Sequence, residues 1–491
     1  MMRRLVVSVL GLVCLWVVMA WTQNPSPSPK PASPGPTPPP KITTAMATPP
    51  ADADSVGGES QFDFDLYSWN TFVAMNWPAD TTTCGPNLGD SILSGHGPVV
   101  WETYLDDSDV FTKPPATPSA WCPQASSSAV GRQAGRLLRL SPAVRALSDK
   151  TGVRRFLHHP SKVSRALAAT GAFPGIDQAV GGVLTDQNGR FVRYEVRMNK
   201  DEYGFISSNT LWSKAGQQKY TSAVVFPVGP SSFGPTGSIE LKAAWKVLSD
   251  AEAAGGRFYA IQAIVYNDDD GNPSPGPNPV TLGLVGLHIV HKTKSQPRWL
   301  WSTFEHVDNL YEAGTYDGKP RSFANGKCPL APPYTANAPA PCKGPCCPPN
   351  TQTASTPSKE LDPSGKPLNT PAQVTRVSKI EVGPPPVDLN AWFQKLLAGS
   401  VWANYQLIGT QWSGGVGPAP KPPFLANTTL ETYNQGPVPP TDGPVPFPSP
   451  GYNPFTTTVS SSCLKCHSQA TTAGSGFKSS ADFSFLLGLA Q

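Results

Sequence analysis

Charged residues are scarce in this sequence. Lys, Arg, Asp and Glu make up 15% of 491 residues, and the net charge is +4. Loss of Arg3 and Arg4 with a cleaved leader would lower it to +2. The charges are dispersed, with no like-charge run longer than Asp268-Asp269-Asp270, which excludes an electrostatic footprint for nucleic acid or an anionic membrane surface. Beyond the N-terminus no apolar run is long enough to suggest a second membrane span. There is no glycine-rich phosphate loop, nucleophile elbow or metalloprotease helix motif. Repeats, sustained heptads and regular alternation of strands with long helices are also missing, which argues against solenoids, coiled coils and doubly wound sheets.

Proline (57) and glycine (44) are abundant and concentrate in residues 24–50, 328–371 and 414–454. Such stretches bury too little apolar surface to offset the entropy of ordering, so they read as a tether and long loops. At the N-terminus, Arg3 and Arg4 precede an apolar stretch from Leu5 to Met19 and the small-residue site Val18-Met19-Ala20. This reads as a secretory signal over 1–20, with an uncleaved membrane anchor as the alternative. Val13 is too bulky for the residue before a lipidated Cys14. The expected organisation is a leader, a Pro-rich tether over 21–60 and one domain over 61–491. That domain contains a Cys/Pro-rich insertion over 328–387 and a terminal segment over 455–491. The expected location is the periplasm, free or held by the N-terminus.

Apolar spacing through Leu66, Trp69, Phe72 and Val73 predicts a helix capped by Asp63 or Asp65 and ending before Pro78. Val99 to Tyr104 reads as a strand, and 141–169 as two short helices broken at His159-Pro160. Strands then dominate: a hairpin around Asn188-Gly189, followed by 238–245, 257–267, 280–293 and 298–307. Asp388 can cap a helix from Leu389 to Leu397, and 401–412 reads as extended. The fold class expected is α+β, mainly antiparallel sheet with helices packed on one face.

Nine cysteines are present. Cys84 and Cys122 lie in polar loops and form a plausible disulfide. Cys328, Cys342, Cys346 and Cys347 crowd one Pro-rich stretch, where disulfides are favoured by an exported location and zinc is the alternative. The remaining pair belongs to Cys463-Leu464-Lys465-Cys466-His467. C-x-x-C-H is the attachment signature of c-type haem. Two thiols two residues apart match the porphyrin vinyl groups, and the adjacent histidine reaches iron. A secretory signal fits, because attachment occurs outside the cytoplasm. A disulfide or zinc knuckle is the alternative.

Only residues 468–491 follow His467, and they contain neither Met nor His. Any sixth iron ligand must therefore come from upstream. Candidates are His306 and His288, both in predicted core strands, then His291, Met75 and Met198, or an open position. A core histidine bonded to a carboxylate such as Glu305 or Asp308 is the simpler reading of each. His158 and His159 read as surface residues. Trp299 and Trp301 can line a haem pocket or serve as plain core.

Six segments carry a resemblance. They are Ser68-Trp69-Asn70-Thr71-Phe72-Val73-Ala74-Met75-Asn76-Trp77-Pro78, Val100-Trp101-Glu102-Thr103-Tyr104, Glu240-Leu241-Lys242-Ala243-Ala244-Trp245, Leu287-His288-Ile289-Val290, Trp301-Ser302-Thr303-Phe304-Glu305-His306-Val307-Asp308-Asn309 and Ser462-Cys463-Leu464-Lys465-Cys466-His467. Over about residues 60–490 the chain resembles uncharacterised bacterial cytochrome c family proteins with a single C-terminal haem motif. The resemblance implies one covalent haem c and export, and no particular reaction. Electron transfer with an unidentified redox protein is the expected role. A haem enzyme of peroxidase or oxygenase type, with His306, His288 or Glu305 as distal acid–base group, and a haem-reporting sensor remain alternatives.

Two weaker motifs carry nothing. In Asn267-Asp268-Asp269-Asp270-Gly271-Asn272 the first calcium-loop position would be Tyr266, so a polar turn is expected. Asn427-Thr428-Thr429 matches a glycosylation acceptor and is read as incidental.

Overall fold

The computed structural model describes residues 38–56, 60–95, 97–112, 114–118, 121–122, 141–157, 183–267, 272–311, 316–328, 346, 349–350, 359–377, 380, 382, 387–413, 420–435, 462–468, 470–476 and 479–491. The leader over 1–20, His96, His158, His159, Cys342, Cys347 and Asp268 to Gly271 lie outside them. Among the described residues no helix is long and apolar enough to cross a membrane.

The fold is α+β. Its centre is an eight-stranded, mainly antiparallel sheet formed by β1 (Leu105–Asp106), β2 (Phe156–Leu157), β3 (Arg193–Met198), β4 (Ile239–Val247), β5 (Ala260–Val265), β6 (Val280–His291), β7 (Leu300–His306) and β8 (Tyr405–Gln411). The order is β8-β7-β6-β4-β3-β1. Strand β5 pairs with the first residues of β6 and, in parallel, with β2. Four helices matter below: α1 (Gln61–Met75), α2 (Lys200–Ser208), α3 (Leu389–Leu396) and α4 (Cys463–His467).

Register divides the sheet into two faces, because side chains alternate along each strand. Ala243, Leu287, Phe304 and Leu407 lie opposite one another on the first face. That face packs against α1 and α3 through Trp69, Phe72 and Phe393. Helix α1 is buried almost all round, so its apolar residues exceed a single stripe. Its cap is Ser60, whose hydroxyl accepts from the Asp63 N–H at 3.3 Å, while Asp63 accepts from the Ser60 N–H at 2.9 Å. Asp63 is thus the reciprocal partner in a capping box rather than the cap itself. Asp388 does cap α3, accepting from the Ala391 N–H at 3.0 Å.

The second face is also covered, contrary to the one-sided packing expected. Leu105, Met198, Glu240, Val290, Trp301 and Gln411 form one row across six strands. Met198, Val290 and Trp301 pack with Tyr203, Phe205 and Ile206 around α2 and with Leu464, Leu486 and Leu487 of the C-terminal segment. Residues 100–103, read as a strand, form a 3-10 turn. Glu102 accepts from the Val99 N–H at 3.0 Å and the Thr103 hydroxyl donates to the Val100 carbonyl at 2.7 Å, two local bonds that curl the chain. Residues 401–404 are likewise a 3-10 turn before β8.

Part of the supposed tether is built into the domain. Ala47 and Ala53 are buried, the Tyr67 hydroxyl lies 3.3 Å from the Pro50 carbonyl, and Trp392 donates to the Pro39 carbonyl at 3.0 Å. Proline-rich backbone offers extended carbonyls, and α1 and α3 use them. The Cys/Pro-rich insertion is anchored too. Glu360, fully buried, receives Arg193 at 2.6 Å and Arg190 at 2.9 Å. Two disulfides join Cys84 to Cys122 and Cys328 to Cys346.

Burial alone would raise the Glu360 carboxyl, but Arg193 and then Arg190 outweigh it and hold it at about 2. A depressed carboxylate stabilises the fold above its unfolded value, and the contribution fades as pH falls from about 4.5 toward 2. Glu360→Gln leaves Arg193 buried without its counter-charge. It should cost about 3–5 kcal/mol in urea unfolding at pH 7 and flatten the acid branch of the stability profile.

Candidate functional site

Helix α4 is a single turn, and its sequence places three donors on one side. Cys463, Cys466 and His467 stand at i, i+3 and i+4, which share a helical face, while Leu464 projects elsewhere and is fully buried. Cys463 and His467 are half-buried and Cys466 is exposed. Both cysteines are thiols rather than disulfide partners. The turn is capped by Ser462, whose hydroxyl accepts from the Lys465 N–H at 3.3 Å. Gln411, at the end of β8, accepts from the Leu464 N–H at 2.9 Å and from the Ser462 hydroxyl at 3.1 Å. The edge of the sheet therefore sets the position of α4.

His467 is oriented from the other side. Its Nδ1 lies 2.8 Å from the Phe483 carbonyl, which selects the Nδ1–H tautomer and makes Nε2 the nitrogen with the lone pair. The ring packs against Trp301 at 4.3 Å and Phe485 at 4.9 Å between centroids. An imidazole held through Nδ1 by a backbone carbonyl is the arrangement that orients a histidine toward a metal and raises its basicity.

Three non-glycine residues around this point have left-handed backbone: Trp299 (φ 66), Asp482 (φ 51) and Phe483 (φ 71). Such residues cost roughly 1–3 kcal/mol each and persist where their surroundings over-determine them. The surroundings are visible. Trp299 donates its indole N–H to the Asp482 carbonyl at 2.9 Å, the Phe226 N–H donates to the Asp482 carboxylate at 2.7 Å, and Lys292 pairs with the same carboxylate. The Gln217 amide donates to the Leu487 carbonyl at 2.8 Å and accepts from the Gly474 N–H at 2.7 Å. A Cβ on Gly474 would lie 2.5 Å from that of Gln217, so only glycine allows this approach.

The candidate distal ligands fall in different places. His306 is on the first face of the sheet, five residues along β7 from Trp301 and roughly 17 Å away at ~3.4 Å per residue. Its ring stacks on Phe258 at 3.9 Å, its Nε2 lies 3.1 Å from the Arg257 carbonyl, and its Nδ1 accepts from the Asp308 N–H at 3.1 Å. His306, one of the candidate sixth ligands, thus lies on the other face of the sheet from Trp301, against which His467 packs. Strand alternation turns it to the opposite side, and both nitrogens serve the core. His291 is also on the first face, between the Tyr67 hydroxyl and the Thr236 carbonyl. Met75 lies there as well, receiving the Tyr104 hydroxyl at 3.4 Å. His288 pairs with Thr303, so it shares the second face with Trp301, one row away, with Nε2 3.1 Å from the Glu431 carboxylate. Met198 is on that face, three strands from Trp301.

Among the described residues no group of three or more His, Cys, Asp or Glu is arranged to hold a bare metal ion. The donors of α4 are thus not a ready chelate for zinc. A porphyrin would need no such convergence: Cys463 and Cys466 would hold it through their sulfurs and His467 would offer an imidazole to its metal. The Cys328–Cys346 bridge removes two of the four thiols considered for zinc in the insertion. Asn427 is fully buried and donates to the Thr303 hydroxyl and the Phe304 carbonyl, both at 2.9 Å, so a glycan there is precluded. Gln411, Lys292, Asp482, Phe483 and Phe485 were not legible as site residues, because each contributes through an amide, a carbonyl, a ring or a second-layer charge. Comparison with protein-family models, curated proteins and solved structures finds no match.

Burial holds both His291 and His306 neutral, down to about 4. A histidine buried neutral is protonated first in the unfolded chain, so stability falls as pH drops from about 6.5 toward 4. Replacing His306 by alanine should cost roughly 2–4 kcal/mol in urea unfolding at pH 7, from the emptied stack and the orphaned backbone groups, and should weaken that acid dependence.

Proposed function

We propose that this chain is an exported monohaem c-type cytochrome that transfers single electrons, with haem c bonded to Cys463 and Cys466 and coordinated by His467. The observation that carries this reading is the one-sided display of the three donors on one helical turn, with His467 Nδ1 tied to the Phe483 carbonyl. When bound, the haem supplies Fe(III)/Fe(II) cycling. Leu464 and Gln411 fix the turn, Phe483 sets the imidazole, and Trp301 and Phe485 exclude water from its flanks. The exposed Cys466 side offers an edge for contact with a redox protein. The two disulfides support an oxidising compartment outside the cytoplasm, where such attachment takes place.

A second reading, an open iron coordinate in a haem enzyme, is favoured by one observation. His306, the first sequence candidate for the sixth position, is turned away on the opposite face. His288 then becomes the nearest histidine candidate by face and row, and its bond to Glu431 would have to give way for it to bind iron.

The exported protein should keep its haem colour through denaturing electrophoresis, and Cys463→Ser with Cys466→Ser should abolish it while leaving the fold measurable by circular dichroism. Colour that survives the double substitution would contradict the attachment. Carbon monoxide added to the reduced protein separates the two readings. An unchanged Soret band supports electron transfer with two protein ligands, and a rapid complete shift supports the open site. His306→Ala should leave the band unchanged in either case.

A further inference from the structure

Helix α2 begins where β3 ends. Asn199 caps it, accepting from the Glu202 N–H at 3.0 Å, and this fixes Glu202 in the first turn against the second face of the sheet. Glu202 is fully buried, and neither carboxyl oxygen has a hydrogen-bond partner. A buried carboxyl in that condition is costly to ionise. Its charged neighbours come from three elements. Glu240 on β4 accepts from the Ser484 hydroxyl at 2.8 Å, Asp482 belongs to the C-terminal segment, and Lys292 follows β6. Asp201 on the same helix is occupied elsewhere, its carboxylate accepting from the Gly237 N–H at 2.7 Å and the Thr236 N–H at 3.1 Å.

Buried Glu202 and Lys292 and half-buried Glu240 and Asp482 thus cluster at residues 482–484, through the Lys292–Asp482 pair and the Ser484–Glu240 bond, and the central carbonyl of that segment holds His467. The influences on Glu202 oppose one another. Burial, then Glu240 and Asp482, push its carboxyl well above the ordinary range, while Lys292 draws it down. The amino end of α2 favours the anion as well. A group balanced in this way responds to one more unit of charge nearby.

We propose that Glu202 is the proton-loading site of this protein, binding one proton as the haem gains one electron and releasing it on oxidation. The proposal rests on the haem reading above. The balance is simple: a one-electron donor protein supplies the electron, water supplies the proton, and the Glu202 carboxylate becomes a carboxylic acid. Oxidation returns both. The oxidised centre carries one more positive charge and favours ionised Glu202, and the reduced centre favours the neutral acid. Linkage then makes low pH favour reduction.

The test is a redox titration of the holoprotein between about pH 5 and pH 9. Over part of that range the midpoint potential should fall tenfold in equivalent affinity per pH unit, about 59 mV for a one-electron couple. Glu202→Gln keeps the shape without a titrating proton and should be flat over the same range. A second measurement needs no variant: the reduced-minus-oxidised infrared spectrum of the wild type should gain a protonated-carboxyl C=O band that shifts in heavy water. A flat wild-type profile, an equal slope in Glu202→Gln, or a spectrum without that band would overturn the proposal. Haem that is extracted by acid solvent would instead overturn the reading beneath it, a result distinct from covalent haem with a pH-independent potential.

Discussion

The Phe483 carbonyl reaches His467 only because Asp482 and Phe483 both occupy left-handed backbone. Neither residue adopts that conformation without help. Lys292, the Phe226 N–H and the Trp299 indole grip Asp482 from three directions, and Trp299 is itself left-handed. The strain is local and the restraint is tertiary, spread over the end of β6, the loop before β4 and the start of β7. Loss of any one restraint would let the 482–483 turn relax and free the imidazole to rotate. The geometry of a five-residue helix near the carboxyl end thus depends on contacts contributed by residues some 180 to 260 positions earlier (sequence separations of 183, 190 and 256).

The sheet assigns different work to its two faces. One is closed by α1 and α3 and holds His291 and His306 as neutral, hydrogen-bonded core residues. The other carries the row from Leu105 to Gln411, and the C-terminal segment docks on it through Leu464, Leu486 and Leu487. Farther along that second face, Glu305 is buried, paired with Arg376, and accepts from the Thr428 N–H and hydroxyl. Two residues two positions apart on one strand share a face, and an odd separation divides them. This parity distinguishes His288 from His306 relative to His467.

Much of the sheet was legible because its signal is local. Alternation and β-branched composition located β4 to β7 closely, and Asn188-Gly189 marked a real turn, with Gly189 at φ 74. The spacing of Cys463, Cys466 and His467 was itself local, and the structure places the three side chains on one helical turn. What the sequence concealed was long-range. Val99 to Tyr104 has strand composition, yet Glu102 and Thr103 bond their own backbone and curl it. Residues 38–56 look like a free tether until their carbonyls meet Tyr67 and Trp392. His306 sits in an apolar strand, as a ligand might, and only the register shows which way it faces. Phe483 contributes a carbonyl, which no residue type announces.

The proposed haem would be bonded to two sulfurs on a single helical turn. Mass spectrometry of the proteolytic peptide spanning Cys463 to His467 tests it most directly. Haem attachment gives a peptide heavier by one haem, with both thiols resistant to alkylation. A peptide of unmodified mass whose two cysteines alkylate freely, or are joined to each other, would contradict it.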